Sequence, residues 1–201
     1  MAEETSPRGP ERRRGDALLR AIHEAALAEL AEVGLGQLSM EGIARRAATA
    51  KTVLYRRWST PHELLVDALH QAHPVEVPTP SADDLRTDLV AALKLLTDWM
   101  GTPAAGAVLA VMTERHRYPE LAEALYSRVF DPRGGTFTST VLRHYANAGT
   151  LDPRRLTPIV TQIGEALVFK LTLDLNRLPT DEELVAIVDE ALLPALGFPL
   201  G

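Results

Sequence analysis

The chain has 201 residues, 46% of them hydrophobic, no cysteine and a formal net charge of -6, enough to bury one sizeable core or a core with a small satellite domain. The lack of cysteine excludes disulfides, thiolate metal sites and cysteine nucleophiles. The longest apolar stretches, 104–112 and 166–169, fall well short of the roughly 20 residues that cross a bilayer. Arg12, Arg13 and Arg14 lead into a mixed stretch and not an apolar block, so no membrane partner is expected and a cytoplasmic location is. Charge is uneven along the chain. Residues 1–70 balance ten Lys or Arg against ten Asp or Glu, whereas 39–62 hold Arg45, Arg46, Lys51, Arg56 and Arg57 against Glu41 alone.

Apolar residues recur at three and four positions and no alternating β-branched run occurs, so the fold class expected is all-α. The first helix is predicted over about Arg12 to Val33, with Leu18, Leu19, Ile22, Ala26, Leu30 and Val33 on one stripe and Gly34 as its stop. Ser39 can cap a short helix, Met40 to about Ala47, that turns Met40, Ile43, Ala44 and Ala47 inward. Ala48-Thr49-Ala50 is a turn, a third short helix covers Lys51 to about Arg57, and Leu54 and Trp58 supply bulk for its core. Pro61 opens a fourth helix carrying Leu64, Leu65, Ala68 and Leu69. Three prolines in 73–80 mark a linker.

Beyond the linker, Ser81 is expected to cap a helix with the stripe Leu85, Leu89, Leu93, Leu96 and Met100, which Gly101 ends. Pro103 and Pro119 open helices over Ala104–Arg117 and Glu120 to about Phe130, Pro132 to Gly135 break the chain, and Thr136–Ala148 follow as helix. Thr157–Leu175 are apolar on more than one face, and Thr180 with Glu183 forms a capping box ahead of a wide stripe that ends at Leu196. Two such helices suggest an interface between copies of the chain, built on Ile163, Leu167, Leu171, Val185, Val188 and Leu192. The expected organisation is a flexible basic tail over 1–11, a helix-turn-helix domain over 12–60, a connecting helix and linker over 61–80, and a ligand-binding and dimerisation domain over 81–201.

Two short helices joined by a three-residue turn, the second presenting Lys51, Thr52, Tyr55 and Arg56 outward, have the geometry of a helix-turn-helix that enters a DNA major groove. Arg and Lys meet phosphate, the Tyr55 hydroxyl can do the same, and Thr52 or Val53 can meet base edges or a thymine methyl. The candidate DNA-facing set is Ser39, Arg45, Arg46, Lys51, Thr52, Val53, Tyr55, Arg56 and Arg57. A basic run of this kind is also found as a plain solvated face.

Residues 17–72, and above all Leu38 to Ala47 followed by Lys51 to Trp58, resemble the DNA-binding domain of the TetR family of regulators. The resemblance implies three N-terminal helices with the reader third, a fourth leading to a divergent all-helical ligand domain, and dimerisation by the last two helices. It also implies a repressor released from a palindromic double-stranded DNA operator by a small organic effector. Four positions depart from the family pattern. Ala48 and Thr49 replace a Gly and a Val or Ile in the turn, Ala50 replaces a capping Ser, and Pro61 stands where a phosphate-contacting Lys is common. The rival reading is a helical sensor or adaptor that kept the fold and lost DNA binding.

The remaining candidates are weaker. Arg8, Arg12, Arg13 and Arg14 are either a minor-groove arm or a solvated tail. His70 and His73 lack a third ligand nearby, so no metal or other cofactor is expected. Trp99, Met112, His116, Tyr126, Phe130, Phe137, His144, Tyr145, Gln162 and Phe169 are candidates to line a pocket. There is no glycine-rich phosphate loop, His-Glu metal motif or serine elbow, so an enzyme is not expected.

Overall fold

The structure is a computed structural model that describes residues 10–73, 84–130 and 137–199, with side chains described from residue 15 onward. Residues 1–9 of the expected 1–11 tail, residues 74–80 of the expected 73–80 linker, the Ser81 cap and the break at 132–135 lie outside the described residues, as do the side chains of Arg8 and Arg12 to Arg14, while residues 10 and 11 of the expected tail begin α1. Among the described residues every regular element is helical. The helices are α1 (Pro10–Val33), α2 (Met40–Arg46), α3 (Lys51–Tyr55), α4 (Pro61–Ala72), α5 (Leu85–Met100), α6 (Pro103–Thr113), α7 (Pro119–Leu125), α8 (Phe137–Asn147), α9 (Ile163–Leu175), α10 (Asp181–Ile187) and α11 (Leu193–Ala195).

The chain forms two compact units, one built from α1 to α4 together with α6 and α7, the other from α5 and α8 to α11. This differs from the expected division, which placed everything after 81 in one region. The reason lies in α4, whose Leu64, Leu65, Val66, Ala68 and Leu69 are all buried and cover more of its circumference than a single neighbour can shield. It packs on α1 and also on α6 and α7. The small residues Ala104 and Ala107, with Val111, give α6 a buried face at helical spacing.

In the first unit α1 ends where Gly34 adopts φ 73°, and the Gly34 N–H closes onto the Leu30 carbonyl. A 3₁₀ turn over Leu35–Gln37 leads to Ser39, whose Oγ accepts the Gly42 N–H at 3.1 Å and caps α2. Against α2 lies Glu29, one of the few charged side chains that are almost wholly buried. A Cβ on Gly42 would stand 1.8 Å from Glu29 Oε1, so any larger residue here requires the Glu29 side chain to move.

In the second unit α5 packs on α8, α9 and α10, with Leu89, Leu93 and Leu96 buried. Asp84 caps α5 by accepting the Thr87 N–H at 3.1 Å. Tyr145 on α8 donates its hydroxyl at 2.7 Å to Asp88, a carboxylate buried one turn inside α5. Arg86 grips Asp189 through two hydrogen bonds of 2.6 and 2.7 Å, and Lys94 meets Asp181 at 2.9 Å, so the exterior of α5 is tied to the last helices. The expected helix over 157–175 begins as a 3₁₀ turn over Val160–Gln162 and becomes α only at Ile163. The capping box at Thr180 and Glu183 is present, and Arg177 with the Thr180 N–H pushes the Glu183 carboxyl down to about 2. The helix after it passes through a π turn over Val188–Leu192 before Pro194. A proline has no N–H to give and its ring crowds the carbonyl four residues back, and a π turn lets the hydrogen-bond ladder absorb that mismatch.

The Gly42 contact gives a quantitative expectation. Gly42→Ala should lower unfolding free energy by about 1–3 kcal/mol, the usual cost of overpacking. In a Glu29→Ala background the same change should be neutral or stabilising, because alanine is the better helix former by about 1 kcal/mol. Denaturant titration of the four proteins measures both.

Candidate nucleic-acid interface

The side chains of α3 divide sharply by burial. Leu54 is fully buried, Trp58 just beyond it is buried too, and Thr52, Tyr55, Arg56 and Arg57 are exposed, with Tyr55 at 59% and Val53 half-buried. An exposed tyrosine next to threonine and arginine on a helix of five residues presents hydrogen-bonding and cationic groups outward. It leaves little apolar surface for packing against protein. Ser39 is half-buried, and after accepting its cap bond it still has a hydroxyl proton to donate.

The cations beside α3 are not equivalent. Arg46 is held by two acids: its Nε donates to Glu29 at 3.2 Å, and its Nη2 also reaches Glu32. Arg46, expected to face DNA, thus spends part of its hydrogen-bonding capacity on α1. Its guanidinium satisfies a buried carboxylate that would otherwise stand alone in the core, a loss that typically costs about 3–5 kcal/mol. Arg45 is well exposed and 3.7 Å from Glu29. Lys51 Nζ donates to Glu41 Oε2 at 3.0 Å, and that hydrogen bond and charge hold the Glu41 carboxyl below its ordinary range. Among the described residues no acid lies within ion-pair range of Arg56 or Arg57, and the Arg57 guanidinium stands over the Trp58 ring at 5.4 Å.

Three residues that the sequence reading did not single out position this surface. Asp67 on α4 accepts the Trp58 Nε1–H at 3.0 Å and lies 3.2 Å from His23 Nε2 on α1. A carboxylate only accepts, so His23 carries its proton on Nε2. Burial pushes the His23 imidazole below its ordinary value of 6.5, against the pull of Asp67 in the other direction. The end of the reader segment is thereby pinned to both α1 and α4. The signal for the third, Glu29, was in the sequence: it falls three residues after Ala26 and seven after Ile22, on the apolar stripe of α1.

The turn between α2 and α3 carries the strain that its composition predicts. Ala48 adopts φ 49°, and Ala50 starts α3 without a side-chain cap bond. The helix start is held by backbone alone, with the Val53 N–H on the Ala50 carbonyl at 2.9 Å.

The sequence model of bacterial regulatory proteins of the tetR family matches residues 22–68, and the model of the tetracyclin repressor-like C-terminal domain matches residues 79–191. The DNA-binding transcriptional repressor TetR of Mycobacteroides abscessus is 30% identical over 192 residues, 93% of this chain and 87% of that protein. The chain belongs to the TetR family. An HTH-type transcriptional regulator of Mycobacterium bovis is 27% identical over 168 residues, 83% of this chain and 82% of its own length. The crystal structure of a TetR family regulator from Pseudomonas syringae superposes with a TM-score of 0.60 at 25% identity, over 90% of this chain and 96% of that one. This TetR family member is a DNA-binding transcriptional regulator with a helix-turn-helix of α2 and α3 and an all-helical remainder.

The pocket candidates of this regulator fall in different places. Trp99, Phe137 and Tyr145 are buried in the second unit, with the Trp99 and Phe137 rings 6.0 Å apart, and Phe130 and His144 are half-buried there. Gln162 and Phe169 in the same unit are exposed. Met112, His116 and Tyr126 belong to the first unit, with His116 and Tyr126 exposed. A cavity of about 280 Å³ in the first unit is lined by none of the ten, but by His62 and residues 117–121.

The interface candidates divide in the same way. Val188 and Leu192 are 0% exposed and belong to the core of the single chain, because α10 and the π turn face inward on α5 and α9. Ile163, Leu167, Leu171 and Val185 are half-buried, and Leu167 and Leu171 border a shallow groove of about 200 Å³ against α10. Ala166, Phe169 and Leu173 of α9 are exposed, with Leu173 at 78%, and Gln162 and Ile159 just before the helix are exposed too, Ile159 at 74%.

Ala48→Gly should raise stability by about 1 kcal/mol, the cost of placing a Cβ in the left-handed region. Thermal melts of the wild type and the variant check this, and a loss of stability would show that the turn relaxes in solution.

Proposed function

We propose that the chain is a homodimeric repressor that reads a near-palindromic operator with α3 and is released by a small organic effector. The observation that carries the reading is the outward set of Thr52, Tyr55 and Arg56 on a helix whose opposite side is locked by Leu54 and Trp58. Thr52, and Val53 beside it, are suited to base edges, while Tyr55 and Arg56, with Ser39, Arg45 and Arg57 around them, are suited to phosphate. The exposed apolar residues Ile159, Phe169 and Leu173 on and beside α9 support association of two copies through this face. Trp99, Phe130 and Phe137 in the second unit suit an apolar effector, and release requires that the effector bind unequally to the DNA-competent and DNA-incompetent spacings of the two readers.

The experiment is a salt series of operator binding, on a duplex located by footprinting upstream of the chain's own gene. Affinity should fall steeply with salt. Arg56→Ala should flatten the slope of log K against log salt by about one, the signature of one lost phosphate contact. Thr52→Ala should leave the slope and relax preference at one base pair, at about 1–3 kcal/mol. If the protein protects no site while still responding to small molecules in a thermal shift, the sensor reading with the strained turn at Ala48 replaces this one.

The dimer has its own check. Leu173→Glu places a charge on the exposed face of α9 and should convert a dimer to a monomer in sedimentation velocity at micromolar concentration, whereas Leu192→Glu should unfold the chain.

A further inference from the structure

Glu41 is the only acid in the basic stretch 39–62, and its carboxylate accepts the side chain of the first reader residue, Lys51, at 3.0 Å. Its position in the first turn of α2 is favourable for any acid, but the α2 cap is already supplied by Ser39. Nothing in the capping of α2 calls for a side chain that extends to α3. Lys51 is the one cation within α3 itself, and more than half of its side chain is open to solvent, as is more than half of that of Glu41. The pair therefore lies on the same surface as Thr52, Tyr55 and Arg56. Arg46, by contrast, answers a buried carboxylate and is fixed by the fold.

We propose that Glu41 is a specificity-determining residue: it withholds Lys51 from the phosphates of non-cognate DNA and yields it when α3 is seated at its operator. The proposal rests on the reading of α3 as the DNA reader. Non-specific affinity comes almost entirely from cations that displace counterions from the phosphate backbone. A lysine already neutralised by its neighbour contributes little to that term. An exposed ion pair is nevertheless weak enough to be exchanged. In a loose complex the exchange gains one phosphate contact and leaves the Glu41 carboxylate facing the backbone, so the pair persists. At the operator, base contacts from Thr52 and its neighbours draw α3 into the groove and bring a phosphate within reach of Lys51, and the exchange becomes favourable.

The test compares the footprinted operator with a scrambled duplex of equal length, by fluorescence anisotropy over a salt series, with the full-length protein. Glu41→Gln should tighten binding to the scrambled duplex by about 3- to 10-fold and steepen its salt slope by about one, the value for one added phosphate contact. The operator should gain less, so the ratio of the two affinities falls. Adding Glu41→Gln to Lys51→Ala should change neither duplex, because no lysine remains to be released. An equal gain on both duplexes overturns the proposal, and so does a gain that survives in the Lys51→Ala background, since either shows general repulsion by a negative charge. Silence of Glu41→Gln also overturns it. If Lys51→Ala and Arg56→Ala both leave operator binding intact, the reader assignment itself fails, which separates that failure from failure of the Glu41 proposal. Thermal melts of each variant report folding independently, and rescue of the wild-type ratio by Glu41→Asp would support the charge as the agent.

Discussion

The reader surface depends on one buried carboxylate. Glu29 sits near the C-terminal end of α1 on the face that should be apolar, and a charge there is tolerable only if it is paired and hydrogen-bonded. Arg46 supplies the partner from the last turn of α2, Arg45 adds a longer contact, and Gly42 removes the Cβ that would collide with the carboxylate. Three residues within five positions of α2 thus exist around a single side chain of α1. The consequence is a fixed crossing of α2 on α1, and through the short turn after it a fixed direction for α3. Basic residues that look alike in composition are divided by this arrangement into those spent on the fold and those left on the surface.

A second carboxylate acts at the other end of the reader. Asp67 receives the Trp58 indole N–H and faces His23, so the segment after α3 is held by α1 and α4 together. Between the two anchors lies the left-handed Ala48 and the uncapped start of α3. α3 has little support from its own local interactions and depends on its neighbours. Five residues are too few to be stable as an isolated helix, and packing of Leu54 and Trp58 takes the place of length.

The second unit shows why apolar breadth in a helix does not identify an interface by itself. α10 and the π turn after it are wide-striped because α5 lies on one side and α9 on another, and their broadest hydrophobes are consumed within one chain. α9 is different. Its buried line runs through Gly164 and Val168, and residues about 120–160° away around the helix, Phe169 and Leu173 among them, remain exposed. The exposed apolar face of the second unit is offset from the one that hydrophobicity alone ranks highest, because the largest side chains are equally suited to the core.

The sequence by itself determined the helical class, the order of the helices and most of their ends, since these follow from periodicity, caps, glycine and proline within a few residues of each other. Gly34, the Ser39 cap, Pro61, Pro103, Pro119 and the box at Thr180 act locally and were legible for that reason. So was the two-sidedness of the segment from Lys51 to Trp58, because its exposed residues and its buried Leu54 and Trp58 lie within eight positions. Tertiary structure alone decided which charges are free. Arg46 is 17 residues from Glu29, Lys51 is 10 from Glu41 and Trp58 is 9 from Asp67, and no local rule pairs side chains that meet only after the helices between them have turned. It also decided that α6 and α7 join the first unit, because a long-range packing choice depends on which faces α1 and α4 leave uncovered. That quantity is set by the whole fold and by no segment of it.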